Sequence, residues 1–326
     1  MAEETLEEHY RVAYQQNLGA EYQQKMQRLG GTVDDDYNFV GGEQNGTSFT
    51  ADIVGTSRVT RINDRYGDTP SGEPNERRRR GGHFEAFDIG SPLGNKIDNA
   101  RSVADPSSRI VMEERQAIAR HHDDRIMTGI IGPAFSGRTL TDRNNLSTDA
   151  VDDDEEFGAI IPVDSHEFDT LTGQVGFTAS KVQTAKRIFD LREIDDEGRY
   201  CAADANMLAQ LLNDEKLSNN DYNTIKALVT GQIDMWHGFK FVKYQRTAQV
   251  AAEVGIAIPD GQAPITFWHK NAVQYRSRVI KTPMQYMRQE KRHNWYTYGE
   301  MEHAAARTHD NAVLMAFALK PGVDPA

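Results

Sequence analysis

Cysteine is almost absent, since Cys201 is the only one among 326 residues. One cysteine excludes an internal disulfide and any metal site built from several cysteines. A free thiol is typical of a protein that folds in a reducing cytosol. A secreted scaffold held together by disulfides is therefore excluded.

Long hydrophobic runs are missing as well. The most apolar stretch, Ala312 to Leu319, has eight residues, whereas about 20 are needed to span a bilayer. Residues 1–20 are acidic and show no basic segment followed by an apolar one, so no signal peptide is visible. These absences predict a soluble cytosolic product.

Positive charge is also in short supply. The chain has 37 Lys and Arg against 49 Asp and Glu, a formal net charge of −12. DNA and anionic membranes bind to cationic surfaces, so both roles are disfavoured. The hydrophobic fraction of 38% is low for a globular chain, which indicates peripheral segments attached to ordinary cores.

Motifs for phosphate binding and nucleophilic catalysis are missing too. The sequence has no GxxxxGK(S/T) loop, no GxGxxG after a predicted strand and no GxSxG elbow. Cys201 lies in an apolar stretch without a base nearby in sequence. Catalytic residues can be scattered along a chain, so an α/β hydrolase or transferase stays as an alternative from a different class.

The run His121-His122-Asp123-Asp124 is the densest group of possible metal ligands. On a helix, ligands of one metal lie three or four residues apart, and this run offers at most one such pair. We therefore expect a partly buried, hydrogen-bonded histidine at His122, on the apolar stripe, rather than a metal site. No catalytic, cofactor or metal residues are predicted.

The N-terminal 40 residues form a charged segment of sequence with one apolar stripe. Leu6, Tyr10 and Tyr14 recur at steps of four, which predicts a helix with a narrow apolar face. Such a rod cannot bury itself and needs a partner surface.

A long hairpin is predicted next. The strand-like pieces Arg58 to Ile62 and His83 to Phe87 flank a tip over 66–82 that is rich in Gly, Pro and charge. An isolated two-stranded hairpin is marginally stable in water, so this segment also needs a neighbour. Arg77 to Arg80 lie in the tip beside Glu73 and Glu76, which favours docking on acidic patches such as 152–156 over nucleic-acid binding.

A long helix is predicted over 105–132. Asp105 is suited to the N-cap and Pro106 to the first turn. The helix places Val111, Ile118, Ile126 and Ile130 along one face and ends near Gly132-Pro133.

The remainder has α+β texture. The acidic segment 149–156 precedes two helices, which begin after the candidate caps Thr178 and Asp204, and a third short helix is predicted over 222–230. Strands are predicted at Arg199–Ala203, Phe239–Tyr244, Ile265–His269, Trp295–Ala306 and Asn311–Leu319.

Several stretches resemble a known family. They begin at Ala104-Asp-Pro-Ser-Ser-Arg-Ile-Val, Arg120-His-His-Asp-Asp-Arg-Ile-Met, Asn220-Asp-Tyr-Asn-Thr-Ile-Lys-Ala-Leu-Val, Gly238-Phe-Lys-Phe-Val and Phe267-Trp-His-Lys-Asn-Ala-Val. Their order, after an arm and a hairpin, resembles the major capsid proteins of tailed bacteriophages, which have the Hong Kong 97-type fold. The likeness covers roughly residues 97–320 and extends more loosely through the arm and hairpin.

The resemblance implies an α+β shell subunit. It implies an N-terminal arm over 1–57, an extended loop over 58–96, a spine helix and first part of the peripheral domain over 97–184, an axial domain over 185–285, and C-terminal strands of the peripheral domain over 286–326. Such subunits form hexamers and pentamers of an icosahedral head around double-stranded DNA, without binding it specifically.

The same resemblance implies partners and a location. The partners are further copies of the chain, a portal, a separate scaffolding protein and, in some heads, a decoration protein, with no membrane. The product is a virion capsid assembled in the host cytoplasm. An encapsulin-like compartment, which shares the fold and packs enzymes, is the alternative.

Two features depart from some relatives. Covalent Lys–Asn links through the extended loop are not expected, because the seven bases of residues 58–95 are all Arg and the nearest lysine is Lys96. The first 40 residues are too few for a long cleavable scaffolding domain, so we expect a separate scaffolding protein or none.

We expect the arm, the loop and the acidic segment to contact neighbouring copies. The candidate contact residues are Leu6, Tyr10, Tyr14, Arg58, Arg61, Arg65, Arg77, Arg78, Arg79, Arg80, Asp152, Asp153, Asp154, Glu155 and Glu156.

Overall fold

The computed structural model describes the chain in segments. These are 24–34, 48–55, 77–94, 107–137, 146–150, 159–165, 167–168, 173–213, 235–291 and 293–322. Other predicted features lie outside them: Leu6, Tyr10, Tyr14, Arg58, Arg61, Arg65, Asp105, the helix over 222–230 and the acids at 152–156.

The described residues form thirteen strands and four α-helices. The strands are β1 (Ser48–Val54), β2 (Arg77–His83), β3 (Glu85–Gly94), β4 (Phe135–Gly137), β5 (Leu146–Ala150), β6 (Ala159–Ile161), β7 (Arg199–Ala203), β8 (Met235–Trp236), β9 (Phe239–Lys243), β10 (Gln262–His269), β11 (Val273–Arg288), β12 (Asn294–Arg307) and β13 (Val313–Leu319). The helices are α1 (Ser107–Ile131), α2 (Ala179–Leu191), α3 (Ala205–Leu212) and α4 (Thr247–Val254).

The chain divides into two units. The first consists of residues 1–30, 85–125 and 277–303, and the second of residues 31–84, 126–276 and 304–326. Helix α1 and strands β11 and β12 each contribute residues to both.

The first unit has a three-stranded sheet in the order β11-β12-β3. Strand β12 is antiparallel to β3, with Met301 opposite Phe87. Along β12 the residues Thr297, Met301 and His303 are buried and alternate with less buried neighbours, as a strand with one covered face requires.

Helix α1 changes character along its length. In the first unit its buried residues include Glu114, Gln116 and Asp123, whereas Val111 and Ile118 are only partly buried. The predicted apolar face is therefore only partly buried in this half, where the buried side chains are polar. In the second unit Ile126, Met127, Ile130 and Ile131 are buried.

The C-terminal end of α1 confirms the prediction from Gly132-Pro133. The helix ends at Ile131, and the Gly132 N–H donates to the Thr128 carbonyl at 2.7 Å. Proline cannot donate the next hydrogen bond, so the helix stops.

The second unit is built on a six-stranded mixed sheet in the order β6-β13-β10-β7-β9-β8. All eight residues of β10 are buried, because this strand lies between β13 and β7 and pairs antiparallel with both. Residues of α2 and α3 join the sheet in one apolar cluster that includes Phe177, Phe189, Cys201, Met207, Leu211, Phe239 and Phe267.

The two predicted helix caps differ. The Asp204 carboxylate accepts from the Met207 N–H at 2.7 Å and caps α3, as predicted. Thr178 lies at the N-cap of α2 but makes no side-chain capping bond.

A four-stranded sheet in the order β1-β2-β4-β5 also belongs to the second unit. Strand β2 pairs antiparallel with β1, with Ala51 opposite Arg80. The predicted hairpin tip over 66–82 was therefore wrong at 77–82, which forms β2.

Gly82 explains why residues 77–82 were predicted as a tip rather than as a strand. A Cβ on Gly82 would meet the Phe49 ring at 2.9 Å and the Ala305 carbonyl oxygen at 3.0 Å. The glycine allows a close approach inside a strand rather than breaking one.

The C-terminal strands β12 and β13 were both predicted. They belong to different sheets, with a 3-10 turn at Asp310–Ala312 between them. Within the described segments, no helix combines the length and apolar character required to cross a bilayer.

Candidate functional site

A buried ion network surrounds the base of the Arg-rich strand β2. Asp310 Oδ2 lies 2.9 Å from Arg80 Nη2, and Asp310 Oδ1 lies 2.5 Å from Arg307 Nε. Arg80 and Arg307 are 3% and 2% exposed. The carboxylate therefore offsets two guanidinium groups in a site screened from water.

Arg307 also caps α1. Its Nη1 donates to the carbonyls of Ile130 at 3.1 Å and Gly132 at 3.0 Å. These acceptors lie at the helix end, where carbonyls lack intrahelical partners and the helix dipole is negative. The network thus joins β2, the end of α1 and the turn before β13.

Arg80 uses its guanidinium inside the chain. We therefore leave it out of the contacts with neighbouring copies proposed below. Arg77, Arg78 and Arg79 precede it on β2.

Asp123 holds the segment 24–30 against α1. Its carboxylate is fully buried and accepts from the backbone N–H groups of Arg28, at 3.0 Å, and Leu29, at 2.9 Å. The Gln24 amide donates to the same carboxylate. The sequence of residues 121–124 offers possible metal ligands, and the spacing of such ligands does not indicate that Asp123 binds backbone groups.

Three histidines cluster between α1 and β12 in the first unit. The ring centroids of His121 and His122 lie 5.3 and 4.5 Å from that of His303. Phe87 packs on His121 at 4.2 Å, and the Arg125 guanidinium lies 4.3 Å from the Phe87 centroid. Arg125 pairs with Glu85 at 2.7 Å.

The histidine cluster favours neutral imidazoles. Burial, assisted by Arg125 and His122, lowers the pKa of His121 to about 4, against a smaller opposing effect of Asp124. Burial and the same basic neighbours lower the pKa of His303 to about 3, and burial lowers the pKa of His122.

The expected partial burial of His122 is confirmed. At its neighbour His121, Nε2 is buried and has no hydrogen-bond partner within the described part of the chain. Ring packing rather than hydrogen bonding therefore dominates at His121.

A further buried charge lies in the second unit. Lys181 is fully buried, and its Nζ donates to the carbonyls of Val163 at 2.9 Å, Val175 at 3.1 Å and Phe317 at 2.5 Å. Burial lowers the pKa of Lys181 to about 8, against the opposing effect of Asp164. The three acceptors hold the ammonium group as a structural link between distant segments.

The described segments bring together no reactive constellation. Cys201 is buried in β7, where burial raises the pKa of its thiol well above the usual value. Among these residues, no three His, Cys, Asp or Glu side chains are arranged to hold a metal ion. Asp123, Lys181 and Arg307 use their buried charges to hold segments together.

Comparison with known proteins decides the family. A family model described as phage capsid protein matches residues 6–315. The chain belongs to this family. It is therefore a phage capsid protein.

Solved structures show the same Hong Kong 97-type fold. The capsid protein of cyanophage P-SCSP1u has a TM-score of 0.65 and 13% identity, over 94% of this chain and 92% of that one. That of cyanophage Pam1 has a TM-score of 0.64 and 12% identity, over 95% and 96%. The capsid protein of Ralstonia phage GP4 has a TM-score of 0.62 and 10% identity, over 96% of each chain.

No curated protein matches this phage capsid protein significantly in sequence. The α+β fold class and the Hong Kong 97-type architecture predicted from the sequence are confirmed.

Proposed function

We propose that copies of this capsid protein form the hexamers and pentamers of an icosahedral head that encloses double-stranded DNA. The observation that carries the proposal is the family match over 6–315, together with a fold shared with phage capsids over nearly the whole chain. The work of the protein is geometric, and no catalytic step is assigned to it.

We assign the domains as the sequence resemblance implies. The arm is 1–57, the extended loop 58–96, the spine and first peripheral part 97–184, the axial domain 185–285 and the last peripheral strands 286–326.

Contacts between copies are proposed for two sets of charges and one apolar stripe. The arginines of the loop (Arg58, Arg61, Arg65, Arg77, Arg78 and Arg79) would pair with the acids 152–156 of a neighbour. Leu6, Tyr10 and Tyr14 would pack on a neighbour's surface, since segments that are unstable alone become ordered by assembly.

The acidic balance is proposed to keep the wall from adsorbing packed DNA. A scaffolding protein, a portal and a decoration protein are proposed partners, with assembly in the host cytoplasm and no membrane step. Covalent cross-linking through residues 58–95 is not part of the proposal, since they contain no lysine.

Electron microscopy of the purified protein tests the shell. Closed particles with five-fold and six-fold capsomers are expected, and a monomer at every concentration would refute the proposal. DNA inside native particles supports a viral head, whereas enzyme cargo would indicate an encapsulin-like compartment.

A further inference from the structure

A cavity of about 350 Å³ lies against the N-terminal half of α1 in the first unit. Ile110, Glu113, Glu114 and Ala117 line it from α1, at spacings of three and four residues that share one helix face. Ile89 and Ser91 of β3 also line it. Its lining is therefore part apolar and part acidic.

Glu114 is the unusual residue of this lining. It is 5% exposed, and its Oε1 accepts from the Thr297 hydroxyl. Thr297 Oγ1 in turn accepts from the Ser91 N–H at 3.2 Å. This chain of hydrogen bonds orients the Glu114 carboxylate.

The other carboxylate oxygen of Glu114 can still accept a hydrogen bond. Glu114 Oε2 is buried and has no hydrogen-bond partner among the described residues. A buried carboxylate oxygen without a donor is costly, because it has lost water and gained nothing in return. Because Glu114 lines the cavity, a donor that enters it would meet this carboxylate.

We propose that this cavity binds a guanidinium group of a second copy of the chain, so that the hydrogen bonding of Glu114 is completed on assembly. This inference rests on the shell function proposed above. Glu113 and Glu114 outweigh Arg120 among the charged residues of the described lining, so the cavity attracts a cation.

A guanidinium fits better than an ammonium. It is planar, carries five donors and is more weakly hydrated, so it enters a cavity with apolar walls at lower cost. Ile89, Ile110 and Ala117 supply such walls for the aliphatic part of the side chain. The chain also offers suitable donors, because the six bases of residues 58–95 other than Arg80 are all arginine.

The test is Glu114→Gln in the full-length protein, with Glu113→Gln as the matched control. Glu113 is exposed, so both variants remove one charge from the same helix face but only one alters the buried oxygen. We expect Glu114→Gln to leave the melting temperature of the free subunit unchanged or raised. We expect it to raise the subunit concentration for half-assembly about tenfold or more, with a smaller effect for Glu113→Gln.

Opposite effects on subunit and shell distinguish binding from a structural role. Equal assembly of Glu114→Gln and wild type overturns the inference, and so does an equal loss of stability in both states. A fall in shell melting that a metal chelator causes in wild type and in Glu113→Gln but not in Glu114→Gln would indicate a metal ion at Glu114 and overturn it as well.

A second measurement does not depend on the variant folding. A cryo-electron microscopy map of the wild-type shell at side-chain resolution should show an arginine of a neighbouring copy beside Glu114. A cavity holding only water refutes the inference while leaving the shell function intact. Failure of the wild-type protein to form any shell refutes the shell function instead.

Discussion

At the scale of single residues, buried charges do much of the specific work. Asp123, Lys181 and Arg307 each bind backbone groups of segments far away in sequence. Such groups are costly to bury unless every partner is in place. Substituting them therefore tests whether the segments they join are held by these bonds.

Arg307→Met should destabilise the subunit by about 3–5 kcal/mol, the usual cost of breaking a buried ion pair. It leaves the Ile130 and Gly132 carbonyls without this donor and removes one partner of Asp310. Urea unfolding of the free subunit measures the change.

Arg187→Met is the control for Arg307→Met. Arg187 pairs with Glu167 at the surface, where the side chains are 44% and 45% exposed, so its loss should cost less than about 1 kcal/mol. Equal losses for the two variants would contradict the role of the buried network.

The histidine cluster predicts acid sensitivity. The folded pKa values of His121 and His303, about 4 and about 3, lie below the ordinary value of 6.5. Between pH 6.5 and these folded pKa values, the unfolded chain binds more protons than the folded chain. The free energy of unfolding is therefore highest above pH 6.5 and decreases as the pH drops. Each proton contributes at most about 1.4 kcal/mol per pH unit.

Urea unfolding of the free subunit at pH 7.5, 6 and 4.5 measures this acid sensitivity. His303→Phe removes one titrating group and should flatten the dependence, whereas His293→Gln, at an exposed position, should not. A dependence as steep in His303→Phe as in wild type would remove His303 from the explanation.

At the scale of elements, the helix ends and strand bounds that depend on neighbouring residues were predicted correctly from the sequence. The end of α1 follows from Gly132-Pro133 and the start of α3 from Asp204, because both signals act within one helical turn. Strand β7 was predicted with its observed bounds, Arg199–Ala203.

The errors at the element scale have a common cause. Gly82 lies in a strand because Phe49 and Ala305 approach it, and Glu114 is buried because Thr297 of β12 binds it. Lys181 and Phe317 are 136 residues apart in sequence. A local pattern carries no information on such partners.

The two helix caps provide a paired test. Asp204→Ala should cost about 1 kcal/mol, since it removes the acceptor of the Met207 N–H. Thr178→Ala should change the stability by less than about 0.5 kcal/mol, since Thr178 makes no capping bond. Thermal unfolding of both variants checks this, and a larger effect at Thr178 would contradict the cap assignments.

At the scale of the whole molecule, the structure changes where the loop should be cut. Residues 77–82, predicted as a tip, belong to β2 and contain Arg80 of the ion network. Deleting them would disrupt the fold of the subunit, so a loss of shells would not show that the loop contacts a neighbouring copy.

Deletion of 66–76, joined by a short Gly-Ser linker, is the sharper experiment. The subunit should keep its folded circular dichroism spectrum and sedimentation coefficient, because β1, β2 and the ion network are retained. Shell yield by electron microscopy should fall strongly. Shells in normal number would show that this segment has no part in assembly.

The ion network also determines how the subunit carries mechanical load. A pull that a neighbour exerts on residues 55–76 enters the described fold through Val54 and Arg77, at the same end of the paired strands β1 and β2. Such a pull would open the strand pairs one after another, from Val54 and Arg77 to Ala51 and Arg80. There the tension passes through Asp310 and Arg307 to the last carbonyls of α1. If the loop contacts a neighbour as proposed, Arg80 would be the residue at which a pull along β2 first reaches a side-chain link to α1.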